Sequence, residues 1–104
     1  MAVFLVTFDL RKPEHDYAPF YERLRRYDHV EALKTAWLVD SARYAGQIRD
    51  DLFEAMDQDD GLLIVLMEGE AGWNRLEGEA QEWLLRRFRV TDPPAGPPLT
   101  GPPR

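Results

Sequence analysis

The 104-residue chain has no cysteine, a single serine (Ser41), two histidines (His15 and His29) and two lysines (Lys12 and Lys34). Without cysteine there is no disulfide scaffold, no cysteine-ligated zinc site and no thiol nucleophile. Ser41 has no G-x-S-x-G around it, so no serine triad can be argued. The histidines stand 14 positions apart, on a loop and at a strand start, which is not a metal-ligand spacing. Either one is a general base in principle, and His15 could lie near Asp9 across a loop. The plainer reading puts both at the surface. No P-loop and no G-x-G-x-x-G occurs, so nucleotide-cofactor binding has no support.

Long hydrophobic runs are also missing. The longest, Leu62 to Met67, is far short of the ~20 residues that span a bilayer. Ala2 to Val6 is apolar, but no basic segment precedes it, and Asp9 follows too soon for a signal-peptide core of ~7–15 residues. The sequence therefore predicts a cytoplasmic protein with no membrane association. Basic charge is in short supply: 19 acids against 13 bases give a net charge of −6. This disfavours a general nucleic-acid coat protein.

Proline is sparse until the end, where six of the eight prolines fall in the last 12 residues. A Pro/Gly-rich tail over 92–104, extended or polyproline-like, leaves one domain over 1–91. That is too small for separate cofactor and substrate domains. With 44% hydrophobic content and 12 aromatics it can still fill a core.

Residues 3–10, VFLVTFDL, read as a buried strand ending at Asp9 or Leu10. Asp16 is a good N-cap for a first helix with Tyr17, Phe20, Tyr21, Leu24 and Tyr27 on one face. Residues 29–40 suit two short strands, or one long strand broken near Lys34–Ala36. A second helix is predicted from about Ala45 to Met56. Asp57-Gln58-Asp59-Asp60-Gly61 is a turn. Leu62 to Met67 is the most apolar strand and on composition should be central. A third helix is predicted at Arg75–Phe88, with Leu76, Ala80, Trp83, Leu84 and Phe88 inward.

The order βαββαβ followed by a helix implies an α+β, ferredoxin-like sheet with helices on one face and an extra C-terminal helix. That pattern puts strands one and three centrally. Unless the last helix covers it, the other face is open and apolar, so a homodimer is expected. Trp37, Trp73 and Trp83 would then be core residues or interface anchors.

These residues carry a resemblance. Phe8-Asp9-Leu10 resembles the aromatic-Asp-aliphatic first strand of the small CRISPR-associated core nuclease of spacer adaptation. More closely, the chain resembles short bacterial proteins of the SinR family, relatives of that nuclease. Their pattern appears here as Phe8-Asp9-Leu10, Lys12-Pro13, Tyr17, Ala36-Trp37-Leu38-Val39, Ile48-Arg49-Asp50-Asp51-Leu52, Asp57-Gln58-Asp59-Asp60 and Trp83-Leu84. The likeness covers about residues 1–88. One departure stands out: the family's Trp-Trp-His before the second strand pair is replaced by His29-Val30-Glu31, so no role tied to that histidine carries over. The resemblance implies a ferredoxin-like homodimer and, for the nuclease relatives, a metal ion near the first-strand aspartate at the dimer interface.

Asp9 is thus the candidate catalytic and metal-binding residue. Mg²⁺ commonly takes one or two carboxylates with water filling its shell, and two copies of Asp9 could hold an ion that activates water on a phosphodiester. The alternative is that Asp9 accepts hydrogen bonds from its own loop. Arg11, Lys12, Arg23 and Arg26 are candidate contacts for RNA or DNA, with tyrosines for stacking. Glu14, Asp16, Glu22 and Asp28 dilute that patch. Six acids lie within 50–60. Asp57 to Glu68 has the length of a calcium loop, but Leu62 stands where glycine is required, so the segment reads as an acidic turn. Three functions remain: a homodimeric interaction or nucleic-acid-related module, a Mg²⁺-dependent endonuclease using Asp9, and a toxin-like module resembling virulence-associated protein D.

Overall fold

A computed structural model describes residues 1–90. The predicted tail, residues 92–104, lies outside the described residues. The elements in order are β1 (Ala2–Asp9), α1 (Ala18–Arg26), β2 (Asp28–Leu33), β3 (Ala36–Ser41), α2 (Ala45–Phe53), β4 (Gly61–Met67), the two-residue β5 (Glu70–Ala71), α3 (Gly78–Leu85) and β6 (Arg89–Val90). Strands β1 to β4 form one antiparallel sheet in the order β2-β3-β1-β4, and β5 and β6 make a short parallel pair.

Strand β1 is mostly apolar because side chains on both of its faces are packed over its first half. Phe4, Val6 and Phe8 point to one face, where they pack with Trp37 and Val39 of β3 against Phe20 and Leu24 of α1 and Ile48 and Leu52 of α2. Val3 points to the other, where it joins Val30 and Leu38 under Ala80, Trp83 and Leu84 of α3. The period-2 alternation of a strand thus feeds two separate cores.

Helix α1 begins where Asp16 Oδ1 accepts the Ala18 N–H at 3.0 Å, with Pro19 in the first turn, where its missing N–H costs nothing. At the start of α2, Gln47 Oε1 accepts the Tyr44 N–H at 2.8 Å. That helix ends at Phe53, three residues before the predicted boundary; Ala55 and Met56 continue as tighter turns onto Leu52 and Phe53 carbonyls, and Met56 still reaches the core. Helix α3 starts at Gly78 rather than Arg75, because Arg75 takes a positive φ of 59°. A β-carbon disfavours that conformation, and a helix cannot include it.

The apolar strand Leu62–Met67 is not central: it forms most of β4, an edge strand paired only with β1. Leu62 and Ile64 pack toward the helices, but Leu63 is 57% exposed, Val65 42% and Leu66 49%. Helix α3 leans over the β2 side of its face and leaves this end bare. Composition reports how apolar a strand is. The crossovers set which strand lies in the middle.

Arg87, just beyond α3, ties that helix to the sheet. Its Nε donates to Asp40 Oδ2 at 2.9 Å and its Nη2 to Asp28 Oδ2 at 2.6 Å, with the guanidinium 3.8 Å from the Trp83 ring centre. Trp83 Nε1 also donates to Asp28. Asp40 is mostly buried and its Oδ1 has no hydrogen-bond partner. Arg87→Ala strands this carboxylate and is expected to cost about 2–3 kcal/mol, short of a fully buried pair because Asp28 is half exposed. Urea unfolding measures it. A loss no larger than that of Arg86→Ala, at an exposed neighbouring position, would show that the clamp contributes nothing.

Candidate functional site

Asp9 closes β1 opposite Gly61, the first residue of β4. Its side chain is exposed, and Oδ2 accepts from Arg11 Nε at 3.0 Å. The same guanidinium donates through Nη1 to the Asp59 carbonyl at 2.8 Å. Gly61 makes room for it: a β-carbon there would stand 3.1 Å from Arg11 Nη2. Lys12 Nζ lies 3.2 Å from Asp59 Oδ2. The two cations expected to face a nucleic acid are therefore already engaged with the acidic turn.

The centre of this end of the molecule is Asp60, the last acid of the acidic turn. It is buried. Oδ1 accepts the Arg11 N–H at 2.7 Å, Oδ2 accepts the Asp57 N–H at 2.8 Å, and the Tyr17 hydroxyl lies 2.8 Å from both oxygens. Burial alone would raise the Asp60 pKa, but the bonds from Arg11, Tyr17 and Asp57, with His15 nearby, outweigh it and hold the carboxyl below its ordinary value. Tyr17 is shifted upward by burial and by the same carboxylate. The available signal was position: an aspartate just before a glycine and an apolar strand is well placed to bind the N–H groups of the turn it closes.

The histidines are spoken for. His15 Nε2 lies 3.2 Å from the Ala55 carbonyl, and its ring stands 4.5 Å from that of Tyr17. His29 Nδ1 lies 2.8 Å from the Tyr27 carbonyl, and its ring stacks on Trp37 at 5.3 Å. A carbonyl only accepts, so the facing nitrogen carries the proton in each case. Ser41 Oγ accepts the Arg43 N–H, which leaves the only serine in a turn rather than beside a base.

Arg23 stands apart from Arg11 and Lys12, joining α1 to α2. Its Nη1 donates to the Asp51 carbonyl at 2.7 Å, to Asp51 Oδ1 at 3.2 Å and to Glu54 Oε2 at 3.1 Å. Tyr27 donates to Asp51 Oδ2 at 2.6 Å; burial first, then this bond, pushes its phenol up to about 12. Arg26 is exposed and forms no ion pair among the described residues. Of the four candidate nucleic-acid contacts, Arg11, Lys12 and Arg23 form ion pairs within the chain, in two different places. Arg25, beside Arg26 on α1, lies 5.6 Å from the Tyr21 ring centre and 5.8 Å from that of Trp37.

Among the described residues no three potential metal ligands converge, and Asp9 Oδ2 already accepts from the Arg11 guanidinium. An ion held there by Asp9 would take its remaining oxygen ligands from water or from a second molecule. The hollow beside Asp9 is shallow, about 250 Å³, and lined by Thr7, Phe8, Gly61, Leu62 and Leu63, which bring no second titratable group. No protein-family model matches this chain, and no solved structure matches it significantly.

Proposed function

We propose that this protein is a homodimeric interaction module of ferredoxin-like fold, resembling the small CRISPR-associated nuclease group in architecture. The sheet order β2-β3-β1-β4, with helices after β1 and β3, supports the fold reading. One contrast carries the functional reading. Asp9, Asp60, His15, His29 and Ser41 are hydrogen-bonded within the chain, while β4 exposes Leu63 and Val65 on one face and Leu66 on the other. Exposed apolar side chains grouped on one strand mark a surface for association. Light scattering on the full chain tests this: a concentration-dependent dimer is expected, and a monomer at every concentration sinks it.

A second reading, the Mg²⁺-dependent endonuclease acting on RNA or DNA, is favoured by one observation. Along β1, Asp9 falls on the same face as Leu5 and Thr7, and Leu63 and Val65 pair with those two residues. Two copies packed face to face over this bare end would draw their Asp9 carboxylates together and supply the second ligand that one copy lacks. Labelled RNA and duplex DNA incubated with Mg²⁺ or Mn²⁺, beside Asp9→Ala, decide between the two. No cleavage is expected for either protein; metal-dependent cutting lost in Asp9→Ala would replace the module reading with the enzyme.

A further inference from the structure

Resting on the dimer reading above, we propose that the partner is a second copy bound edge to edge, β4 pairing antiparallel with β4 about a two-fold axis at Ile64 to give one eight-stranded sheet. Among the described residues no strand pairs with the outer side of β4. Its seven residues, Gly61-Leu62-Leu63-Ile64-Val65-Leu66-Met67, include no charge and no proline, and its register with β1 is unbroken. These are the devices that normally protect an edge, and all are missing.

The opposite edge has them. Strand β2 exposes Asp28 and Glu31, and its register shifts between Glu31 and Leu33. One edge is guarded and the other is not, so pairing closes at two copies instead of growing into a fibre.

The sequence of β4 is close to a palindrome of apolar types about Ile64, and this selects the partner. Antiparallel pairing on that axis sets Ile64 opposite itself, Leu62 opposite Leu66 and Leu63 opposite Val65. Residues directly opposite share a face. Leu63 with Val65 therefore continues the face carrying α3, and Leu62 with Leu66 the face carrying α1 and α2. Exposed leucine at 66 on one face and exposed Leu63 and Val65 on the other are both accounted for, whereas packing one face on another would cover only one set. The chain carries −6, so two copies repel across most of their surfaces. Their uncharged edges are where they meet at least cost. This arrangement also keeps the two Asp9 residues roughly 20 Å apart along the strands, too far to share an ion.

The test uses the full chain. Leu66→Lys lies on the helix-bearing face, so it should weaken an edge dimer at least about tenfold and leave a face-to-face dimer of the bare side intact. Circular dichroism confirms that the variant is folded. Because the protein has no cysteine, cross-linking is an independent readout. Leu63→Cys and Val65→Cys proteins, mixed and oxidised, should form a disulfide-linked heterodimer, since facing Cα atoms lie about 4.5–5.5 Å apart, while neither protein alone should cross-link efficiently. A wild-type dimer that survives Leu66→Lys, or that cross-links equally well from one cysteine variant alone, overturns the edge arrangement but leaves the dimer. A wild-type monomer overturns both.

Discussion

Phe20→Ala is expected to lower stability by about 3–5 kcal/mol, enough to leave a domain of this size marginal. Phe20 has no exposed surface, and its ring meets that of Phe8 edge-on, with centroids 4.9 Å apart at 78°, and that of Tyr21 at 5.2 Å. Leu24, Ile48 and Leu52, equally buried, fill the space around it. Backbone-anchored residues line that space on three sides: β1 beneath, α1 itself, and α2 alongside. The hole left by a benzyl group cannot collapse without moving a helix. At a urea slope of ~1–1.5 kcal/mol/M, the unfolding midpoint should fall by about 2–5 M. A shift under ~1 M would mean that α1 is loosely docked, and the packing argument would fail with it.

The second large effect is expected at Asp60. Asp60→Ala removes the acceptor of the Arg11 and Asp57 N–H groups and leaves both facing a small apolar cavity. Stranding buried donors, with the loss of charge-assisted bonds, should cost about 2–4 kcal/mol. The loss is structural as well as energetic, because Asp60 fastens the loop after β1 to the turn before β4. Asp60→Asn should fall between wild type and alanine, since its amide keeps one acceptor oxygen and turns a donor toward the other group.

The sign of the pH effect follows from the direction of the Asp60 shift. Its folded pKa lies below the ordinary carboxylate value, so the folded state holds the proton less readily than the unfolded chain. Its contribution is therefore complete above ~pH 4 and is lost as the pH falls through the depressed folded value. Many other acids share the acid slope, so the informative quantity is the difference between wild type and Asp60→Asn. Urea midpoints measured between about pH 2 and pH 6 should show that difference constant at the upper end and shrinking in acid. A gap that stays constant throughout would mean that the Asp60 charge does not matter and that only its shape does.

The sequence reading succeeded where one local rule governs. The β-rich apolar run in residues 3–10 pointed to β1, and the stripe Phe20, Tyr21, Leu24 to α1 with its buried face. Asp16 was expected as the N-cap; that position falls to Tyr17, whose side chain makes no cap bond, and Asp16 one residue earlier accepts the Ala18 N–H. The hairpin within 28–41 appeared as two strands, one of the two forms the pattern allowed. It failed where the deciding partner is distant in the chain. Asp60 looks like Asp57 and Asp59 in the sequence; only the arrival of Tyr17 and the Arg11 N–H, 43 and 49 positions away, makes it a buried hub. The ion pairs of Arg11, Lys12 and Arg23 are likewise set by distant partners, which the sequence pattern does not show.

By itself, then, the sequence indicated the three helices and the four strands of the main sheet, though not the short β5–β6 pair, because helix and strand periodicity act over a few residues. It also determined that cysteine chemistry is absent. The βαββαβ pattern set against the composition of Leu62–Met67 left the place of that strand open, and the tertiary structure decided it, together with which face α3 covers and which charged groups are paired inside the fold. Those depend on contacts between segments dozens of residues apart, and the apolar strand β4 has the same composition whether it is buried between two neighbours or bare along one side.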